Sequence, residues 1–148
     1  ELMSIFSSIN IRLSALTAEG TRMDVISKNL ANANTTRTQS GDPYRRQVVV
    51  FKEAEEKQSF KSILESKKSK DVDKGVEIVG IVEDKTPFRQ VYNPGHPDAD
   101  EKGYVTMSNV DTITEMVDMI SATRSYEANV TALNTSKSML LKALEIGK

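Results

Sequence analysis

An α+β fold is predicted, with two long terminal helices forming an antiparallel coiled-coil pair and a small β-rich region between them in the chain. Three features of the 148 residues predict it. Apolar residues recur in steps of three and four near both ends. Short β-branched runs bounded by turn formers fill the middle. A stretch rich in Lys and Glu interrupts that middle.

The first helix is expected from Ile5 to about Ala33. Ile9, Leu13, Leu16, Met23 and Leu30 follow a heptad pattern on one face, with Gly20 and Ser27 at the two remaining seam positions. No proline interrupts the stretch, and the polar run Asn32, Asn34, Thr35, Thr36 with Gly41 and Pro43 beyond it marks the stop. Gly20 costs about 1 kcal/mol against alanine inside a helix, but its missing side chain lets another backbone approach.

The second helix is expected to begin near Val110, with Asn109 or Asp111 as N-cap and Glu115 adding negative charge to its first turn. Ile113, Val117 and Ile120 set one apolar face. Tyr126, Val130, Leu133, Leu140 and Leu144 set another, so the register shifts around Arg124. From Val110 to Ile146 such a helix is about 55 Å long, more than the width of so small a domain. Two helices of this kind pack most simply as an antiparallel pair. A pair covers only one side of each seam, and something else must cover the rest.

Arg46–Phe51, Gly75–Glu83 and Arg89–Tyr92 read as strands, with a fourth over Tyr104–Met107. Asn93–Gly103 is a loop, because it holds Pro94, Gly95, Pro97 and Gly103. The segment Lys52–Lys74 is charged; Phe60, Ile63 and Leu64 give it one apolar cluster and favour a short, weakly docked helix over a mobile insertion. The boundaries expected are residues 3–36 for the first axial helix, 37–109 for the middle with the insertion at about 52–74, and 110–148 for the second helix. They form one composite domain. Met3 reads as the natural initiator, with Glu1 and Leu2 as added residues.

Composition excludes several function classes. Twenty basic against 21 acidic residues leave a formal charge of -1, which supplies no field for nucleic acid or an anionic membrane. Without cysteine there is no disulfide framework and no thiolate metal site. Residues 1–12 lack the continuous apolar core of a secretory signal, and no run reaches the roughly 20 apolar residues of a bilayer span, so neither a cleaved signal peptide nor direct membrane insertion is expected.

No enzyme is expected either. The single His96 sits between Gly95 and Pro97 near Asp98 and Asp100, which reads as a structural turn, not a metal site. There is no Gly-x-Ser-x-Gly elbow and no Gly-rich phosphate loop. Catalytic, cofactor-binding and metal residues are therefore all expected to be none. Lys67, Lys68, Lys70 and Lys74 alternate with acids and read as a solvated loop. Arg37, Arg45 and Arg46 beside Tyr44 make a denser cationic patch, either plain surface charge or a contact for an acidic neighbour. In the second helix Arg124, Asn129, Asn134 and Lys137 lie on or beside an apolar seam; they either face water or fix the register and partner of an assembly.

Several stretches resemble a known family. Asn29-Leu30-Ala31-Asn32 at the end of the first helix is similar to the Asn-Leu-Ala-Asn signature of flagellar rod, hook and hook-associated proteins. Gly41–Phe51, Tyr92–Asp100 with Gly103-Tyr104-Val105, and Arg124–Val130 continuing through Leu133-Asn134-Thr135 and Lys137-Ser138-Met139 resemble the proximal-rod members of the flagellar basal-body rod protein family. The likeness covers nearly the whole chain except roughly 52–74.

The resemblance implies a structural subunit of the axle that crosses the periplasm and transmits torque. Implied partners are copies of itself, other flagellar rod proteins, a basal-body adaptor at the membrane ring and the flagellar type III export machinery. The implied assembly residues are Asn29, Leu30, Ala31 and Asn32 in the first helix and Tyr126, Asn129, Leu133, Asn134 and Met139 in the second. The seam adds Ile9, Leu13, Leu16, Met23, Ile113, Val117, Ile120, Val130, Leu140 and Leu144. The alternative reading is a coiled-coil adaptor or export chaperone.

Overall fold

The computed structural model describes residues 2–54 and 74–146. Helix α1 spans Leu2–Ala31, and helix α2 spans Thr112–Ile146. Between them lie strands β1 (Gln47–Glu53), β2 (Val76–Glu83), β3 (Arg89–Tyr92) and β4 (Tyr104–Met107). Among the described residues the architecture is α+β: two helices with two small antiparallel strand pairs. The short helix expected around Phe60, Ile63 and Leu64 lies outside the described residues.

Helix α1 ends where its sequence turns polar. The Asn32 side chain donates to the Lys28 carbonyl, which also accepts from the Asn32 N–H, and the Thr35 hydroxyl donates to Asn32 Oδ1, so polar side chains brace the last turn and the loop beyond it. Of the two candidate caps of α2, Asp111 takes the role. Its carboxylate accepts from the Ile113 N–H at 3.0 Å and the Thr114 hydroxyl at 3.0 Å. Asn109 serves elsewhere: it accepts from the Arg46 N–H at 2.7 Å and donates to the Asp84 carbonyl.

Strands β1 and β2 pair antiparallel from Gln47 opposite Glu83 to Glu53 opposite Val76. The register slips between Val50, which faces Gly80, and Phe51, which faces Ile78, so Val79 is an extra, bulged residue. This ribbon lies against α1. The Ser14 hydroxyl accepts from the Val76 N–H at 3.0 Å, and a Cβ on Gly75 would sit 2.5 Å from the same oxygen. Glycine lets the chain re-enter the sheet this close to the helix without displacing the Ser14 side chain. Strands β3 and β4 pair in register, with Tyr92 and Tyr104 edge to face at 5.3 Å.

Among the described residues the buried apolar set is small. Ala33, Tyr44 and Val110 cluster where the end of α1, the approach to β1 and the approach to α2 converge. Ala18, Val25, Ile26, Val105 and Ala122 complete the set. Helices α1 and α2 lie against each other, and their cross-contacts run in opposite senses along the chain: Asn29 meets Glu115, and Arg22 meets Asp118.

Among the described residues, those buried on the helices are not those of the predicted seams. On α1 they are Ala18, Val25, Ile26 and Asn29; on α2 they are Glu115, Ala122 and Ser136. The buried α2 residues share one heptad position, which half-buried Asn129 also occupies. Small and polar side chains there allow the helix to approach its neighbours closely, and large apolar residues are left for the other faces.

Candidate assembly site

Asn29 is the centre of a polar junction that links α1, β1 and α2. Its Nδ2 donates to the Gln47 carbonyl at 2.8 Å and to Glu115 Oε2 at 3.0 Å. Its Oδ1 accepts from the Tyr44 hydroxyl at 2.9 Å and from the Gln47 N–H at 3.0 Å. A carboxamide offers two donors and two acceptor lone pairs, and all four are used. That complete pairing is what permits Asn29 to be 1% exposed.

Glu115, equally buried, holds its second oxygen 2.6 Å from Arg46 Nε. The Arg46 guanidinium also reaches Asp84 at 3.4 Å and Asp118 at 3.5 Å, and Arg22 meets Asp118 at 3.7 Å. Burial works against the Arg46 charge, but the hydrogen bonds and charges of Glu115 and Asp84 together outweigh it and hold the guanidinium pKa above its usual value. Tyr44 is shifted up, first by burial and then by the charges of Glu115 and Glu83, so its hydroxyl stays protonated as a donor to Asn29.

The cationic patch read from the sequence is therefore largely internal. Arg46 lies in the junction, and Arg45 donates to the carbonyls of Asp84 and Thr86 with its guanidinium 4.2 Å over the Phe88 ring. Arg37 alone of the three is exposed. His96 belongs to a turn, where its Nδ1 accepts from the Asp98 N–H at 3.1 Å. The Thr36 hydroxyl donates to Asp98 and ties that loop to the end of α1.

Around the junction the expected assembly residues divide by exposure. On α1, Ile9, Leu16, Met23 and Leu30 are half-buried, Leu13 and Ala31 are exposed, and Asn29 lies inside the chain; Asn32, just past its end, is half-buried. Among the described residues a Cβ at Gly20 would meet open space, so none of them fills the notch in that seam. On α2, Ile113, Val117 and Ile120 stand in solvent with exposures of 74%, 61% and 56%, and Met116 widens the stripe. Farther along, Tyr126, Asn134, Met139 and Leu144 are exposed, whereas Asn129, Val130, Leu133 and Leu140 are half-buried. The Asn129 amide donates back to the Ser125 carbonyl.

Sequence reading did not single out Tyr44, Arg46, Asn109 and Glu115 as one group. One signal was present: Glu115 lies between Ile113 and Val117 on the opposite side of the helix, where a charge facing the chain needs a cation. The cation itself is 69 residues away in the sequence and no spacing rule reaches it.

Comparison with known proteins places this arrangement. Residues 9–38, which include Asn29, match the family model described as flagella basal body rod protein. Residues 101–146, which include Glu115 and the apolar stripe, match the model for the flagellar basal body rod FlgEFG protein C-terminal region. Both helices thus carry the features of basal-body rod proteins as a class.

The relatives are more specific. The flagellar basal-body rod protein FlgC of Bacillus subtilis is 52% identical, with 99% of this chain and 100% of the relative aligned. FlgC of Borreliella burgdorferi is 46% identical over 97% of this chain and 98% of its own, and FlgC of Yersinia enterocolitica 42% identical over 99% and 100%. The chain belongs to the FlgC family of flagellar basal-body rod proteins.

Proposed function

We propose that this chain is a non-enzymatic structural subunit of the proximal rod, which polymerises through its terminal helices into the axle that transmits torque. The observation that carries the reading is the stripe Ile113, Met116, Val117 and Ile120, apolar and at least half exposed along one face of α2. An apolar stripe of this kind on an otherwise charged chain is the expected surface for burial against another subunit. The exposed or half-buried α1 seam of Ile9, Leu13, Leu16, Met23 and Leu30 supplies a complementary strip, and coiled-coil pairing of the seams belongs to the assembled state.

A contact between two different faces of one protein repeats without closing and builds a helical tube, the form an axle needs. Copies of the chain and other rod proteins are the partners, with an adaptor at the membrane ring below them. Export through the flagellar type III machinery without a cleaved signal peptide brings the subunit to the periplasm; among the described residues no helix is long and apolar enough to cross a membrane. Residues 3–36 and 110–148 act as the axial part and 37–109 as the part that braces them.

Electron microscopy of basal bodies from a strain deleted for this gene tests the reading. Basal bodies that stop at the membrane ring in non-motile cells, restored by the intact gene, are the expected result. Complete rods and hooks in a deletion strain without a paralogue would contradict it.

A further inference from the structure

The ribbon of β1 and β2 carries two short stretches of edge that no described residue pairs. In an antiparallel pair, residues whose N–H and C=O face the partner strand alternate with residues whose groups face away. The Asp84 N–H donates to the Arg46 carbonyl at 2.8 Å, so these two face inward; Gln47 and Glu83 next to them face outward, as do Val49 and Ile81. Asn29 of α1 takes both outward backbone groups of Gln47. Beyond the bulge the Ala54 N–H donates inward to the Gly75 carbonyl at 2.8 Å, so Glu53 and Val76 face outward, as do Phe51 and Ile78. The outward N–H of Val76 is taken by Ser14 of α1.

Helix α1 therefore closes the β1 edge at Gln47 and the β2 edge at Val76. Ser14 and Asn29 lie about 22 Å apart along the helix, close to the length of the ribbon, so α1 crosses it from one edge to the other. Two diagonally opposed stretches are left: Ile81 and Glu83 on β2, and Phe51 and Glu53 on β1. Among the described residues their outward N–H and C=O groups have no partner. The side chains at these stretches are apolar and open to solvent, with Ile81 50%, Val82 49%, Val50 38% and Phe51 36% exposed. Ile81 and Val82 project from opposite faces, so the ribbon shows apolar surface on both sides. Two strands alone are marginal in water, and a further strand would both pair the edge and cover that surface.

We infer that the outer edge of β2 at Ile81 and Glu83 pairs with the outer edge of β1 at Phe51 and Glu53 in a second copy of this chain, so that the antiparallel sheet continues from one subunit into the next. The two stretches match in length, since each offers two outward residues. Each also sets one large apolar residue beside a glutamate. Lys74 lies 3.3 Å from Glu53 and offsets its charge, so Glu83 does not meet a bare carboxylate. The stretches sit on opposite edges and toward opposite ends of the ribbon, so the contact joins two different surfaces and displaces each copy along the strands. Such a contact repeats in one direction without closing. The inference deepens the rod function proposed above and rests on it: the middle of the chain supplies an interface beside that of the helices.

A photo-crosslinking amino acid incorporated at position 81 in cells reads the contact in isolated basal bodies. The expected product has twice the subunit mass and joins position 81 to residues 50–54 of a second copy. A product with a different rod protein, a product joined elsewhere on the second copy, or no product overturns the inference. Basal bodies that contain the subunit but lack the expected product sink this inference alone, whereas complete rods in the deletion strain remove the rod function beneath it.

Backbone pairing is read separately by Ile81→Pro. The Ile81 N–H faces away from β1, and Gly80 before it has no Cβ to clash with the ring, so the ribbon itself should tolerate the substitution. A strand arriving at that edge would lose a donor and meet the ring, and loss of motility is expected. Ile81→Thr keeps the N–H and a β-branched side chain and should swim. Normal swimming by Ile81→Pro overturns backbone pairing; if that variant fails to fold, the crosslink at position 81 decides.

Discussion

Arg46 and Glu115 join the start of β1 to the first turn of α2 through a hydrogen-bonded ion pair of 2.6 Å, in which the Glu115 side chain is 1% and the Arg46 side chain 24% exposed. The pair is enclosed on the acid side and open on the cation side. Its two partners are therefore unequal when one is removed.

Arg46→Ala leaves a carboxylate facing the protein with only the Asn29 amide for company. Loss of one member of a buried pair costs about 3 kcal/mol or more, because the remaining charge stays desolvated. Urea unfolding of the free subunit is expected to show a lower midpoint of that size. Arg46→Lys should recover part of it, since an ammonium keeps the charge but cannot reach Glu115, Asp84 and Asp118 together. Equal stability of Arg46→Ala and the native chain would contradict the role assigned to the pair.

Acid should weaken the fold through Asp84 and Asp111. The Thr86 N–H chiefly, aided by the Thr86 hydroxyl and Arg46, holds Asp84 below its ordinary value of 3.8. The Thr114 hydroxyl and the Ile113 N–H do the same for Asp111 at the start of α2. A carboxylate with a depressed folded pKa contributes stability above its unfolded value, and that contribution is lost as pH falls through the folded value. The thermal midpoint is expected to hold through neutral pH and to drop below about pH 4, less steeply in Asp111→Asn. A midpoint that rises on acidification would contradict this.

Tyr44 sets the alkaline limb. Its pKa is raised, first by burial, so the unfolded chain loses the phenolic proton before the folded one does. The associated stability is complete below the unfolded value near 10.0 and is lost as pH rises through the folded value. Tyr44→Phe should abolish that alkaline loss. It should also lower stability at neutral pH by about 1 kcal/mol, the worth of one buried hydrogen bond to Asn29.

Val117→Asp separates folding from assembly. Val117 is exposed in the free subunit, so its unfolding free energy should change by no more than about 0.5 kcal/mol. In the rod the carboxylate would be buried without a partner, and cells carrying the variant should be non-motile with basal bodies lacking a rod. Swimming at the native rate would remove this stripe from the assembly surface.

Gly75→Ala should disturb the contact between β2 and α1. The new methyl would lie 2.5 Å from Ser14 Oγ and 3.3 Å from Ser14 Cβ, so the helix and strand must separate or Ser14 must rotate away from the Val76 N–H. Overpacking of this kind costs about 1–3 kcal/mol. Ser14→Ala removes the closer of the two contacts and should relieve part of the loss in the double variant. Thermal unfolding of the four chains forms the cycle that checks it.

Much of the secondary structure was legible because its causes are local. The three-and-four spacing in the terminal segments announced both helices, and β-branched runs bounded by turn formers announced the strands. Strands β3 and β4 have the expected bounds, and β1 and β2 differ by a residue or two. The bulge at Val79 was not legible, since it depends on which residue of a second strand lies opposite. Apolar periodicity marked Ile113, Val117 and Ile120 as one face but could not say where that face points.

The sequence by itself determined two long helices, the short strands between them, and membership in the rod family, because periodicity, turn chemistry and motif are properties of neighbouring residues. Only the tertiary structure decided that Asn29 lies inside the chain and that Arg46 and Glu115 meet. Only it decided that the apolar stripe of α2 faces outward. The physical reason is that a hydrogen bond or ion pair becomes strong and specific when distant segments exclude water around it, and no local pattern records which segments will meet.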